Sequence, residues 1–596
     1  MSSSVFQNFG HSGRSGDAAS GRFQDSGRTS IQLEGSAKET LEQGRNRLVI
    51  AGVLFAFCFM VLSGRLIGLA LSGLGESSRV TAERVTPKTT LISRIGRAPI
   101  YDRAGNLLAV TLDTVSLYAD PSKVIDPREA ARKIVTVLTD LNVAAVEEKM
   151  SSRRNFVWLK RHLTPMQQKE INNLGVPGVL FRDEKKRVYP MGPLAAHLVG
   201  YTDIDNNGIA GAEKYFDDRL AGVDQEEAKP VYLSVDMRVQ YALRDELSRY
   251  MSIFKAIGAA GVVMDIQTSE ILGMVSLPDF DPNRPGDFPG RTKFNNVSLG
   301  VYEMGSTFKT FTVAMALDSK TVSLSDGYDA TKPIRIAGAR ISDYHGKKRW
   351  LSIPEIYMYS SNIGSAKMAE EVGAKRQRAF LDKIGLLRKP VVELPEVGAP
   401  ILPTRWNTLE TMTISYGHGL SVSPLQVSAA VSAIVNGGIY RNPTILRKDK
   451  SDIEPGRRVI RAKTSEIVRR MMRLVVEKGT GRKAAAKGYV VGGKTGTADK
   501  AVNGSYDGEA LVTSFISAFP MNNPRYMVLA LLDEPKGNAS SFGFRTAGWT
   551  TAPIVSRLVS RIAPILGVKP VDEESEEIRK IMEIPLYSRE KKLATF

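Results

Sequence analysis

Gly305-Ser306-Thr307-Phe308-Lys309-Thr310-Phe311-Thr312-Val313-Ala314-Met315-Ala316-Leu317 is the stretch on which the fold turns. The apolar run from Phe311 has no polar face, and a helix apolar all round belongs in the interior of a large domain. Glycine before the run suits a tight turn into that helix. Residues three apart share one face of a helix, so Ser306 and Lys309 are expected to face each other at its start. A serine hydroxyl is a weak nucleophile until a neighbouring base takes its proton. A lysine in a dry, cation-rich pocket loses proton affinity and serves as that base near neutral pH. The N–H groups of the helix start would point toward an acyl oxyanion.

Two later patches complete a constellation. Ser360-Ser361-Asn362 supplies a second hydroxyl able to relay a proton and a carboxamide able to donate to and accept from a peptide backbone. Taken alone it reads as a polar turn or helix cap. Val490-Val491-Gly492-Gly493-Lys494-Thr495-Gly496-Thr497 reads as a strand whose glycines admit another backbone at close range. Lys494 and the hydroxyls of Thr495 and Thr497 suit a carboxylate, and the Thr497 N–H could share an oxyanion hole with that of Ser306. Taken alone this patch is an edge strand with a solvated lysine. Two further serines stand three residues before a lysine, Ser252 before Lys255 and Ser588 before Lys591, but neither has such companions downstream.

In this order the three patches are the signature shared by serine β-lactamases and penicillin-binding proteins. The chain resembles the class B penicillin-binding proteins, the septal peptidoglycan D,D-transpeptidases of FtsI-like type among them. Further segments carry the likeness. Arg97-Ala98-Pro99-Ile100-Tyr101-Asp102-Arg103-Ala104-Gly105-Asn106-Leu107-Leu108-Ala109 is similar to the family's first N-terminal box, with Ala98 where glycine is usual. Arg187-Val188-Tyr189-Pro190 through Tyr201 resembles the second box. Gly208 to Glu213 and Leu233-Ser234-Val235-Asp236 resemble the junction into the catalytic domain, and Gly417-His418-Gly419-Leu420 through Gln426 a further catalytic segment.

The fold expected is α/β (α+β): one N-terminal transmembrane helix, a non-catalytic pedestal of the dimerisation type, and a transpeptidase domain. The resemblance implies that this last domain holds a five-stranded antiparallel sheet between helices. Residues 1–47 are rich in Ser, Gly and charge and read as a disordered tail. Residues 48–74 form an apolar run, interrupted by Arg65, long enough to span a bilayer. Residues 75–228 form the pedestal, where Ser116-Leu117-Tyr118-Ala119 is strand-like and Arg128 to Lys149 helical. Residues 229–567 form the catalytic unit, in which Gly261–Ile266 and Ile271–Ser276 read as a hairpin. Residues 568–596 are expected as a peripheral tail.

Composition narrows the function. With 596 residues and 42% apolar content the chain can build more than one core. Its net charge of +18 favours polyanions, yet the basic residues are scattered and no nucleic-acid motif appears, so nucleic acid is not an expected partner. The single cysteine, Cys58, excludes an internal disulfide and a cysteine metal cluster, and with five histidines and no HExxH spacing no metal or other cofactor is expected. Charge flanking the apolar run is balanced and leaves orientation open. The resemblance implies a cytoplasmic N-terminus, an inner-membrane anchor and a periplasmic body at the division septum.

What the resemblance implies for chemistry is acyl transfer. Ser306 is the nucleophile, Lys309 its base, Ser360 the relay, Asn362 the substrate clamp, and Lys494, Thr495, Gly496 and Thr497 the carboxylate site. Stem peptides of peptidoglycan are the substrates, β-lactams the covalent ligands, and a polytopic septal glycosyltransferase with other division proteins the partners. The rival readings are an elongation-type transpeptidase sharing the same site, a serine β-lactamase, a penicillin sensor and a catalytically silent division scaffold.

Overall fold

The computed structural model describes residues 49, 52–65, 96–222, 227–502 and 505–587. The chain divides into two compact units, residues 1–92 and 93–596. In the first, residues 49 and 52–65 are helical. The rest of the run expected as an anchor, and the tail over 1–47, lie outside the described residues. Among the described residues no helix is long and apolar enough to cross a membrane.

The second unit begins with a five-stranded sheet. Its strands are β1 (Ile100–Tyr101), β2 (Leu107–Ala119), β3 (Val157–Leu163), β4 (Val179–Val188) and β5 (Val231–Tyr232). The long strand β2 pairs antiparallel with β4 from Val110↔Val188 to Ala119↔Val179, and with β1 and β3 along its other edge. Helices Pro127–Val137 and Val143–Met150 pack Ile134, Leu138, Val146 and Met150 against Leu117 and Leu159. Asp126 and Asn142 cap them, each accepting two backbone N–H bonds, and the cap at Asn142 splits the expected helical stretch 128–149 in two.

Three sequence boxes of this region meet in one buried ion cluster. Arg97 Nε donates to Glu213 Oε2 at 2.5 Å, and Arg187 Nε to Glu213 Oε1 at 2.7 Å. Arg97 also reaches Asp217 Oδ1 at 2.5 Å. Residues 26 to 120 apart thus become neighbours because a buried carboxylate needs its charge and lone pairs answered. Strand β5 pairs parallel with β1 through Ile100↔Val231. The pedestal sheet therefore takes its last strand from beyond residue 228, and the boundary read at 228/229 moves to about Leu233, whose neighbour Ser234 donates its N–H to Ile445 O at 2.7 Å.

The catalytic part is built on a second five-stranded sheet, antiparallel throughout. Its strands β6 (Gly258–Asp265), β7 (Ile271–Leu277), β8 (Gly492–Val502), β9 (Ser505–Phe519) and β10 (Tyr526–Asp533) lie in the order β8-β9-β10-β6-β7. Helices cover both faces. Met237–Ile253 and Thr551–Ile565 pack Leu243, Leu247, Val555 and Leu558 on one side. Lys309–Asp318, Pro424–Val435 and Ala462–Glu477 fill the other. A sheet buried on both faces wants apolar residues at nearly every position, which is why β10 reads as an apolar run from Tyr526 to Leu532 and β7 carries one polar side chain, Ser276.

Residues 568–587 correct an expectation. They do not trail from the body. Helix Glu576–Met582 buries Ile578 and Met582, with Ile584 beyond it, in the main core. Glu573 pairs with the buried Arg473 at 2.8 Å and accepts the Gly488 N–H at 2.7 Å. The charged composition of the segment concealed an i, i+4 apolar pair. Residues 588–596, which include the second decoy pair, lie outside the described residues.

Candidate active site

Ser306 stands in a one-turn 3₁₀ helix, Gly305–Phe308, that runs into the α-helix Lys309–Asp318. The sequence reading placed it at the start of an α-helix. In the tighter turn residues i and i+3 eclipse, which brings Lys309 Nζ to 2.7 Å from Ser306 Oγ. The turn is clamped by backbone. Gly305 has φ +54°, and a Cβ there would stand 2.5 Å from Thr497 O. Gly417, at φ +89°, lies against Gly305 from the other side and accepts its N–H at 3.2 Å; a Cβ on Gly417 would occupy the Gly305 carbonyl. Three chain segments thus pass within van der Waals contact at the nucleophile, and only glycine leaves room.

Ser360 is not helical. It ends helix Ile353–Tyr359 in the left-handed conformation, φ 61° and ψ 43°, and the chain restarts at once as helix Asn362–Val372. A non-glycine residue there carries local strain of about 1 kcal/mol. The reward is direction: Ser360 Oγ sits 3.2 Å from Lys309 Nζ and 2.9 Å from Lys494 Nζ, a hydroxyl between two amines. Asn362 turns its Oδ1 to Lys309 Nζ at 2.6 Å and its Nδ2 to Ser342 O at 3.0 Å. Ser306, Ser360 and Asn362 together use all the donor capacity of one ammonium.

Lys494 lies on β8, the edge strand of the sheet. Beyond Ser360 it contacts Thr495 Oγ1 at 3.3 Å, and Thr495 Oγ1 shares a hydrogen bond of 2.8 Å with Thr480 Oγ1. Gly496 lets the strand close on Met304, where a Cβ would stand 2.5 Å from the carbonyl oxygen. Thr497 Oγ1 accepts the Ala547 N–H at 3.2 Å. The structure therefore gathers every residue selected from the sequence. Ser306, Lys309, Ser360, Asn362, Lys494 and Thr495 are joined by side-chain hydrogen bonds, and Gly496 and Thr497 by the backbone passing Met304 and Gly305. The other decoy pair, Ser252 and Lys255, ends the helix on the opposite face of the sheet.

Both lysines are fully buried. Burial pushes the Lys309 ammonium down to about 7, against an opposing pull from the Asp343 carboxylate. Lys494 is held well below the ordinary lysine value by burial and then by the charge of Lys309. The pocket can hold one proton on Lys309 comfortably and resists a second. A carboxylate arriving beside Lys494 would restore its charge. Tyr416 lies with its ring 5.8 Å from Lys309 Nζ, its phenol pushed up to about 12 by burial and by Glu303.

Sequence reasoning missed the part played by four residues. Thr480 orients Thr495, and its glycine flanks, Gly479 and Gly481, were the available sign of a close approach. Gly417 was noted only as part of a familiar segment, although Gly-x-Gly marks backbone contact. Ser342 and Asp343 sit in a polar loop that carries no signal of its own.

Residues 259–556 match the family model "Penicillin binding protein transpeptidase domain", and residues 94–231 match "Penicillin-binding Protein dimerisation domain". A serine bonded to a buried lysine, a second buried lysine and an antiparallel sheet preceded by this pedestal belong to one class, and the chain is a member of the class B penicillin-binding proteins, FtsI-like in type. It is 40% identical to the probable peptidoglycan D,D-transpeptidase FtsI of Caulobacter vibrioides, over 88% of this chain and 89% of that one. With the peptidoglycan D,D-transpeptidase FtsI of Escherichia coli K12 it shares 29% identity over 80% of this chain and 84% of the other. Among solved structures, penicillin-binding protein 3 of Mycobacterium tuberculosis, complexed with aztreonam, matches with a TM-score of 0.62 at 24% identity. That match covers 80% of this chain and 98% of the other, and it shows the fold.

Proposed function

We infer that this chain is a peptidoglycan D,D-transpeptidase that cross-links stem peptides through a serine acyl-enzyme and binds penicillin covalently. The observation that carries the reading is the single buried amine of Lys309, within hydrogen-bond reach of Ser306, Ser360 and Asn362 at once. Neutral Lys309 takes the Ser306 proton as Oγ attacks the carbonyl carbon of the penultimate D-Ala. The oxyanion is held by the Ser306 and Thr497 N–H groups. Collapse breaks the C–N bond, and the proton returns from Lys309 through Ser360 Oγ to the departing amine of terminal D-Ala. Asn362 holds the substrate backbone, and Lys494, Thr495 and Thr497 its carboxylate. The amine of a neighbouring stem then attacks the ester and gives its proton to Lys309; the Ser306 Oγ–C bond breaks as the new amide forms, and Lys309 returns the proton to Ser306 Oγ. One amide is exchanged for another, so no energy source is required.

β-Lactams present a strained amide to the same site. Incubation with a fluorescent penicillin and mapping of the labelled peptide should place the adduct on Ser306. A Ser306→Ala chain that still formed the adduct would overturn the assignment.

The place of action is a further proposal: the inner membrane, single-pass, with a cytoplasmic N-terminus and the body in the periplasm. The apolar run 48–74 and the FtsI-type relatives support it. A reporter fused after Phe596 and active only in the cytoplasm would refute it. We place the activity at the septum, beside a glycan-polymerising partner and other division proteins. Enrichment of a fluorescent fusion at midcell supports this, and a uniform sidewall pattern favours elongation.

A further inference from the structure

Asp343 belongs to none of the patches quoted above. It follows a small hairpin whose strands, Ile334–Ile336 and Ala339–Ile341, pair antiparallel. The segment after the hairpin lies across the start of helix Asn362–Val372, and three hydrogen bonds join them. Asp343 Oδ2 accepts from Ser361 Oγ at 2.8 Å, and Oδ1 from the Ile363 N–H at 3.0 Å. The carbonyl of Ser342 accepts from Asn362 Nδ2 at 3.0 Å. Ser361, the N-cap of the helix, gives its one hydrogen to Asp343 and accepts the Gly364 N–H at 3.0 Å, so its hydroxyl has one orientation.

The orientation of Asn362 follows from the same loop. Its N–H₂ is taken by Ser342, which leaves Oδ1 to meet Lys309 Nζ at 2.6 Å. Turned over, the amide would set N–H against the ammonium and oxygen against a carbonyl, both unfavourable. The loop therefore decides which end of Asn362 faces the base.

Charge adds a second role. The hydrogen-bond partners of Lys309 are neutral: Ser306, Ser360 and Asn362. The titratable groups that face it are Asp343 from this loop, Lys494 from β8, and Tyr416 and His418 from the turn before Leu420. Burial holds His418 toward its neutral form, with Asp499 pulling the other way. Among these groups Asp343 is the carboxylate that favours the Lys309 ammonium.

We propose that Asp343 is a positioning residue of the acylation step. Its carboxylate clamps the Ser361–Ile363 turn so that Ser360 and Asn362 meet Lys309. Its negative charge steadies the buried ammonium that forms when Ser306 yields its proton. The role rests on the acyl-transfer reading given above.

The test is the second-order rate of fluorescent-penicillin acylation from pH 5.5 to 9, measured on the purified full chain and its variants. Wild type should show labelling at Ser306 with a rate that rises through a midpoint. D343N keeps the shape and an acceptor for Ile363 but removes the charge. It should lose about 10–100-fold in rate, and its midpoint should move to lower pH by about 0.5–1 unit, because the Lys309 ammonium has lost a favourable neighbour. S361A cuts the clamp and leaves the charge, so its rate should fall while its midpoint stays. D343E keeps the charge, and its midpoint should stay within about 0.2 unit of wild type. A cap without electrostatic function would lower the D343N rate equally at every pH, and an unmoved midpoint overturns the charge role. A D343N rate within twofold of wild type overturns the whole proposal. Should D343N melt below the assay temperature, D343E decides: a midpoint shifted down as far as 0.5 unit overturns it. Absence of a Ser306 adduct in wild type would remove the acyl-transfer reading itself, and this role with it.

Discussion

At the scale of single residues the site depends on where one proton resides. Lys309 acts as a base only when neutral. With its pKa lowered to about 7 by burial, its neutral fraction grows as pH rises through that value. Acylation by a β-lactam should therefore climb between about pH 6 and 8 and level off above, read by stopped-flow labelling. Lys309→Arg puts a permanently charged group in the same place and should cost at least about 10³-fold in that rate. Ser360 separates stability from function. Its left-handed backbone, φ 61°, is strained for serine. Ser360→Gly should relieve that strain and raise unfolding stability by about 1 kcal/mol, whereas Ser360→Ala should not. Both should lower acylation by about 10²-fold, because each removes the hydroxyl between the two amines. The residue types of this chemistry were legible in the sequence, since Ser306 and Lys309 stand one helical turn apart and the hydroxyl–carboxamide and lysine–threonine patches follow them in order. The left-handed turn at Ser360 was not, because serine gives no sign of positive φ.

At the scale of elements the nucleophile turn is held by strands and loops rather than by its own helix. Gly305 is pressed between Thr497 of β8 and Gly417. Gly417→Ala should destabilise the fold by more than about 2 kcal/mol in chemical denaturation, and the surviving folded protein should label poorly with penicillin. Glu213 is the matching element-scale hinge in the pedestal, buried and bonded by both Arg97 and Arg187. Glu213→Ala leaves the buried Arg187 guanidinium without its carboxylate and Arg97 with Asp217 alone, and should cost about 3–5 kcal/mol. Elements made by near neighbours in sequence were readable: the hairpin β6–β7, the apolar helix after Ser306, the strand around Lys494. Those set by caps were less so, as with the break at Asn142 that divides residues 127–150 into two helices.

At the scale of the whole molecule, pedestal and catalytic sheet share one core, which reaches from Ile100 and Leu108 through Phe308 to Ile578 and Met582. Termination after residue 567 should therefore weaken the body itself. It uncovers the core beneath Ile578, Met582 and Ile584 and leaves Arg473 without Glu573, and it should cost at least about 3 kcal/mol of unfolding stability. An unchanged melt for the shortened chain would return that segment to the status of a tail. The sequence by itself determined the kinds of element and the candidate reacting groups, because helix periodicity, turn chemistry and side-chain reactivity are properties of residues and their near neighbours; the resemblance carried by its motifs implied the sheet between helices. Only the tertiary structure decided which groups touch. Ser306 and Ser360 both meet Lys309, and Lys494 meets Ser360; Asp343 and Thr480 are recruited from segments without motif, and the last strand of the pedestal comes from beyond its expected end. Those outcomes depend on burying charges in pairs and on passing backbones at glycine, and both are contacts between segments far apart in the chain.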